Sequence, residues 1–332
     1  MPMNQQILLA SRPDVVARAE NFRLVETPLP QPAEGQVLLR HLWLSLDPYM
    51  RSRMDDVKSY APSAAVGEVM MGAVVAEVME SRHAKFKAGD TVLARQGWQL
   101  YSVSDGRDLS VIDASIAPLP WYLGILGSGG ATAWVGLFDI GEAKAGETVV
   151  VSAASGSVGS VVGQLAKLHG CHVVGIAGGP EKCGYCVDEL NFDACIDYKA
   201  GNLLADLQAA TPKGVDVYFD NVGGEILDAV LTRMNPHSRL PLCGTISQYD
   251  KTEHYGIRNF RSFLVNRIRL QGFVISDYRD EARNALPKII QAVKEGKLKY
   301  RVSVAEGLAA APEAFLGMLK GRNYGKQVVK LT

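Results

Sequence analysis

The sequence predicts an α/β protein in which a doubly wound parallel sheet is joined to a β-rich, partly open barrel. Two observations carry this. Up to roughly residue 125, the segments VLLRHLWLSLD (37–47), GEVMMGAVVAEVME (67–80) and DTVLARQGWQLYSV (90–103) are dense in β-branched and aromatic residues, and Pro62, Gly72 and Gly89 punctuate them. That is the pattern of short strands. After Gly127-Ser128-Gly129-Gly130 the pattern becomes an alternation of apolar strands and amphipathic helices, which predicts repeated βα units and a parallel sheet.

The elements of the second part follow in order. Thr148–Ala153 (TVVVSA) has no polar face, as expected of a parallel strand covered on both sides. VGSVVGQLAKLH (158–169) reads as a helix, His172–Ala177 as the next strand, and Pro180 as the first turn of the next helix, where proline is tolerated. Ala194–Tyr198, Val215–Val222, Arg239–Gly244 and Arg267–Ile275 supply further strands, and Asp280–Gly296 the last helix of this block. The tail Tyr300–Thr332 returns to strand, helix and strand, ending on Lys326–Leu331.

Composition narrows the function classes. The 332 residues suffice for a real core. Lys plus Arg and Asp plus Glu are 35 each, so no electrostatic footprint points to nucleic acid or an anionic membrane. The basic run Arg258–Arg269 is short and interrupted by apolar residues. No stretch approaches the roughly 20 apolar residues of a membrane span, and the N-terminal residues lack the pattern of a secretory signal. The five cysteines (171, 183, 186, 195, 243) are odd in number and absent from the first 170 residues. They point to a reducing, cytoplasmic setting rather than a disulfide framework.

Directly after the strand Thr148–Ala153 comes Ala154-Ser155-Gly156-Ser157-Val158-Gly159. It reads as the G-x-G-x-x-G dinucleotide fingerprint with Ala154 in the first position. Gly156 lets a pyrophosphate approach the backbone, Gly159 lets the helix pack close to the strand, and the helix start attracts the phosphates. NAD enzymes place an acid at the tip of the next strand. Here the tip is Ile176-Ala177-Gly178-Gly179-Pro180-Glu181-Lys182. Gly178 and Gly179 leave room there, and Lys182 sits where it pairs with a 2′-phosphate. The expected cofactor is therefore NADPH.

These residues, with LSLDPYMRSRM (44–54), VGEVMMGAVVAEV (66–78), GGATAWVGLFDIGEAKAGETVVVSAASGSVGS (129–160), VDVYFDNVGGEILDAVL (215–231), LCGTISQYD (242–250), IRLQGFVISDY (268–278) and FLGMLKGRNYGKQVVKL (315–331), resemble the zinc-independent medium-chain dehydrogenase/reductases. That family includes prostaglandin, alkenal and bacterial curcumin reductases. The resemblance implies a GroES-like domain from residues 1–126 with 300–332, a Rossmann domain over 127–299, a cleft between them, and a homodimer. It also implies no metal. Zinc-dependent relatives carry a barrel-domain cysteine and a Gly-His-Glu motif, whereas this chain has no cysteine before Cys171 and reads Gly67-Glu68 without the histidine. A catalytic zinc needs about three protein ligands.

The resemblance also implies roles residue by residue. Ala154, Gly156, Val158 and Gly159 would hold the pyrophosphate. Gly178, Lys182 and Tyr198 would surround the 2′-phosphate and adenosine. Asn221, Cys243, Gly244, Ser247 and Tyr249 would line the nicotinamide ribose, Phe273, Val274 and Ile275 would border the nicotinamide, and Asn323 would reach the cofactor from the tail. Tyr249 and Tyr49, with Tyr60 beside them, are the candidate catalytic tyrosines. The implied reaction is reduction of the C=C bond of small enones or alkenals, with hydride reaching the β-carbon and the enolate oxygen held by hydrogen-bond donors. A quinone reductase of the same superfamily, and an NADPH-binding sensor or structural protein without turnover, are the competing readings. Cys183-Gly184-Tyr185-Cys186 has redox-motif spacing, but its place at the helix start beside the adenosine site favours a structural reading.

Overall fold

The computed structural model describes residues 3–253 and 255–332. They divide into two compact units, residues 3–123 with Val302–Thr332, and Gly124–Arg301.

In the first unit, β1 (Met3–Leu9) and β2 (Phe22–Pro28) form an antiparallel pair. Next come β3 (Val37–Ser45), the short helix α1 (Tyr49–Arg53), β4 (Val74–Ser81), β5 (Thr91–Ala94), β6 (Tyr101–Ser104) and β7 (Ser110–Val111). The segment 67–80 is thus a strand only in its second half. The segment 90–103 is two strands, because Gly97 takes φ +76 and turns the chain. Between them Trp98 is fully buried. It stacks on Phe22 at 5.6 Å and meets the edge of Phe315 at 5.6 Å. A period-two reading of the sequence cannot see that turn, because Trp98 is apolar like its strand neighbours.

The second unit holds α2 (Ser128–Trp134), β8 (Thr148–Ser152), α3 (Gly159–Leu168), β9 (His172–Ala177), α4 (Pro180–Gly184), β10 (Ala194–Asp197), α5 (Leu203–Ala210), β11 (Val215–Phe219), α6 (Gly224–Leu231), β12 (Met234–Leu242), α7 (Arg261–Asn266), β13 (Arg269–Gly272) and α8 (Arg279–Lys294). Among the described residues its sheet has the order β10-β9-β8-β11-β12-β13, and every pairing is parallel. This is the doubly wound order, reversing direction between β8 and β11. All five residues of β8 are buried, as the lack of a polar face predicts. β13 ends at Gly272, so Phe273–Ile275 lie beyond the strand rather than in it.

The tail adds β14 (Val302–Glu306), α9 (Ala311–Leu319) and β15 (Lys326–Lys330). β15 lies between β14 and β3 in the sheet of the first unit. That unit is therefore assembled from both ends of the sequence.

Candidate active site

The C-terminal ends of β8, β9, β11 and β12 gather most of the candidate residues of the second unit. At the end of β8 the chain turns through Ala153, which takes φ +50. Ala154, the next residue, is fully buried. Gly159 opens α3 with no room for a side chain, since a β-carbon there would stand 2.4 Å from the Ala153 carbonyl oxygen. Gly156 differs. A β-carbon would meet only the Ala153 oxygen, at 3.0 Å, and the Ala153 methyl, so one face of its backbone is open. A ten-residue helix begins just beyond, and the first amides of a helix have no intrahelical acceptor. Ser157 Oγ is hydrogen-bonded to Tyr300 Oη at 2.7 Å.

At the end of β9, Gly178 packs against the ring of Tyr198, 2.9 Å from where its β-carbon would be. Lys182 lies half-buried on α4 and titrates below the ordinary lysine range, first because of burial and then because of the charge of Lys199. The Lys199 charge thus lies near enough to act on Lys182, and Lys199 Nζ lies 5.9 Å from the centre of the Tyr198 ring. The sequence reading missed Lys199. It also missed Asp197, whose Oδ1 accepts from the amides of Gly179 (2.8 Å) and Lys199 (3.0 Å). That carboxylate is thereby turned onto the backbone and fixes the turn that presents the lysines.

A third missed residue organises the middle of the sheet. Asp220, directly after β11, is fully buried. Its Oδ1 accepts from Ser152 Oγ (2.9 Å), Tyr218 Oη (2.8 Å), Val222 N (2.9 Å) and Gly223 N (3.0 Å). Its main-chain oxygen accepts from Cys243 N (2.8 Å) and Gly244 N (3.2 Å). Beside it, Asn221 donates from N to Ser152 Oγ and from Nδ2 to Ser152 O, both at 2.8 Å. Ser247 Oγ donates to Val222 O at 2.6 Å. Asn221, Cys243, Gly244 and Ser247 are thus tied to Ser152 and to the main-chain oxygens of Asp220 and Val222. Burial, and then Asp220, push the Cys243 thiol up to about 12, so it stays protonated. Tyr249 is half-buried, with its hydroxyl 3.8 Å from where a β-carbon on Gly244 would be. Phe273 is tied to the end of β12 by Phe273 N donating to Leu242 O at 3.3 Å, and its ring meets the edges of Phe219 and Tyr278. Val274 and Ile275 follow, half-buried.

Tyr49, Tyr60 and Asn323 belong to the first unit. Tyr49 opens α1 and is 36% exposed. Its phenol titrates well above the ordinary tyrosine range, because of the protein atoms crowding it and then the charge of Asp47. It therefore remains a proton donor throughout the neutral range. Tyr60 is exposed, with the Arg53 guanidinium 5.7 Å from its ring centre. Asn323 Nδ2 donates to Gly325 O at 2.9 Å and so closes its own turn. Cys183 and Cys186 are buried, free thiols, and burial with the neighbouring Cys195 pushes Cys183 up to about 12. Among the described residues no group of three or more His, Cys, Asp or Glu is placed to hold a metal ion.

A reversing parallel sheet with a glycine turn and a cationic strand tip, alongside a β-sheet unit built from both chain ends, defines a medium-chain dehydrogenase/reductase. Two family models match, one described as the N-terminal domain of oxidoreductase over residues 5–112 and one as zinc-binding dehydrogenase over residues 157–293. The chain is 47% identical to NADPH-dependent curcumin reductase of Escherichia coli, over 99% of this chain and 97% of that one. It is 44% identical to the NADP-dependent 2-alkenal reductase of Nicotiana tabacum, over 90% and 88%. The crystal structure of CurA from Vibrio vulnificus in complex with NADPH superimposes with a TM-score of 0.94 at 46% identity, covering 99% of both chains. The chain belongs to the zinc-independent medium-chain dehydrogenase/reductase family, in the branch that contains these reductases.

Proposed function

We propose that this chain catalyses the NADPH-dependent reduction of the C=C bond of α,β-unsaturated ketones and aldehydes. The observation that carries the reading is the near full-length identity to a curcumin reductase and an alkenal reductase. The residues present fit the cofactor. Gly156 leaves an open backbone face at a helix start, and the charges of Lys182 and Lys199 act on each other, which favours a phosphate between them.

Bound NADPH supplies the hydride. The turn Ala154–Gly159, with Gly156 and Val158, holds the pyrophosphate by backbone amides. Lys182 and Lys199 hold the 2′-phosphate, with Gly178 and Tyr198 at the adenosine. Asn221, Cys243, Gly244 and Ser247 carry the nicotinamide ribose, Phe273–Ile275 border the ring, and Asn323 is a further contact. Tyr249 donates to the carbonyl oxygen on which negative charge develops, Tyr49 is a second donor to it, and Tyr60 borders the substrate. Donors already in place at that oxygen lower the barrier because they need no reorganisation during the reaction. The proton that completes the reaction reaches the α-carbon from a tyrosine hydroxyl or from water.

Lys182→Ala should weaken NADPH by on the order of 1.5–3 kcal/mol, the worth of a charge-assisted hydrogen bond, and leave NADH nearly untouched. Fluorescence titration with both cofactors measures this, and equal losses would remove the 2′-phosphate assignment. The reaction itself is tested by following NADPH and NADH oxidation at 340 nm with an alkenal, an open-chain enone, curcumin and a naphthoquinone. The expected result is NADPH-selective turnover of the enones to saturated carbonyl products. Turnover of the quinone alone would overturn the reading.

We further propose a cytoplasmic homodimer. No helix of the described residues is long and apolar enough to cross a membrane, and the five cysteines are free thiols. β13 is the edge strand of its sheet, and Phe260, Leu264 and Val265 on and beside α7 are exposed, Leu264 at 79%. An unpaired edge strand beside exposed apolar residues favours pairing with a second copy. Sedimentation as a single 35.9 kDa species would contradict the dimer.

A further inference from the structure

Lys326 in β15 is a charged side chain with 1% exposure. Its Nζ donates to Leu46 O and to Asp47 Oδ1, both at 2.6 Å. The second carboxylate oxygen of Asp47 accepts from Ser45 Oγ. The Asp47 main-chain oxygen accepts from Met50 N at 3.1 Å, and Pro48 holds φ at −57. Both carboxylate oxygens of Asp47 and the carbonyls of Leu46 and Asp47 are therefore engaged, and Tyr49 is the residue that this turn delivers.

Stability alone gives a weak account of the arrangement. Removing an ammonium from water is expensive, and a buried ion pair is often replaced by apolar residues at no loss. Burial does lower the lysine's titration, against the attraction of Asp47. Placement gives a better account. The carboxylate is bound at both oxygens and cannot rotate, so the first residue of α1 has a fixed origin. The Lys326 charge also offsets that of Asp47, which otherwise repels an oxygen becoming negative near Tyr49.

We infer that Lys326 is a positioning residue, which acts through Asp47 to hold the Tyr49 hydroxyl where it meets the substrate carbonyl oxygen. The inference rests on the role proposed above for Tyr49. A donor that matters only in the transition state lowers kcat when displaced and leaves KM in place.

The test is a double-mutant cycle on the full chain, with an enone as substrate and NADPH affinity measured alongside. Lys326→Met is expected to lower kcat on the order of 10- to 10²-fold, the scale of a small misplacement. KM for the enone and affinity for NADPH should be nearly unchanged. In a Tyr49→Phe background the same change should have almost no further effect. Ser45→Ala, which removes only one hydroxyl from Asp47, should move kcat in the same direction and carries the cycle if Lys326→Met does not fold. Equal losses with and without the Tyr49 hydroxyl would show a merely structural lysine and overturn the inference. So would unchanged kcat in Lys326→Met and Ser45→Ala when Tyr49→Phe alone is impaired. Full turnover by Tyr49→Phe would instead remove the role of Tyr49, and this inference with it.

Discussion

Replacing Asp220 by alanine is expected to lower the unfolding free energy by at least about 3 kcal/mol, since each buried donor left without an acceptor costs about 1–3 kcal/mol. Four donors lose the same oxygen: Ser152 Oγ, Tyr218 Oη and the amides of Val222 and Gly223. The ends of β8 and β11 lose their link, and NADPH binding should fall with stability. Asp220→Asn separates hydrogen bonding from charge. Oδ1 takes all four bonds, while Oδ2 receives only the shared Gly223 amide at 3.2 Å. An amide oxygen in the Oδ1 position keeps the network, so the cost at neutral pH should stay within about 1 kcal/mol.

The pH dependence has a definite sign. Burial raises the Asp220 pKa above its ordinary value, against the four hydrogen bonds that favour the carboxylate. A raised folded-state pKa gives stability that is fully present below the unfolded value, about 3.9 for aspartate, and lost as pH rises through the folded value. Asparagine does not titrate. Relative to wild type, Asp220→Asn should therefore become more favourable as pH rises through that window. Denaturant unfolding at several pH values measures both effects. An asparagine variant as unstable as the alanine variant would mean that the charge, not the set of acceptor bonds, holds the site together.

Tyr249→Phe should lower kcat with an enone on the order of 10²–10³-fold, the usual loss on removing one donor from a developing oxyanion. The hydroxyl lies over the Gly244 backbone, in the segment that Asp220 anchors. The ring remains in the variant, so NADPH affinity should hold while turnover falls. Stopped-flow measurement of NADPH oxidation under single-turnover conditions isolates that step from product release. Full turnover by Tyr249→Phe would remove the tyrosine from the mechanism.

The parts of the fold legible in the sequence were those written in local pattern. β8 is built on three consecutive valines and runs into a glycine turn, and both the parallel sheet and the proposed phosphate-binding turn follow from those few residues. The barrel strands were legible as β but not in extent. The break at Gly97 depends on Trp98 finding Phe22 and Phe315, which lie far away in the chain. The site shows the same division. Gly156, Gly159 and Lys182 stand in motifs, whereas Lys199, Asp197 and Asp220 do not. Asp220 acts through Ser152, 68 residues earlier, and Lys199 through its proximity to Lys182. A lone aspartate at the end of an apolar strand carries no mark of the four bonds it will accept.

The last strand bears on how the chain is made. β15 is inserted between β14 and β3, and it emerges from the ribosome almost 300 residues after β3. Gly124–Arg301 is continuous in sequence and can fold as soon as it is synthesised, while the Trp43–Ser45 end of β3, beyond its pairing with β6, waits for β15. Domains tend to fold as units during synthesis, and open strand edges invite misassembly. The final residues therefore act as a latch on translation, for until β15 is added the DPYM turn lacks its lysine and β14 lacks the strand that joins it to the sheet.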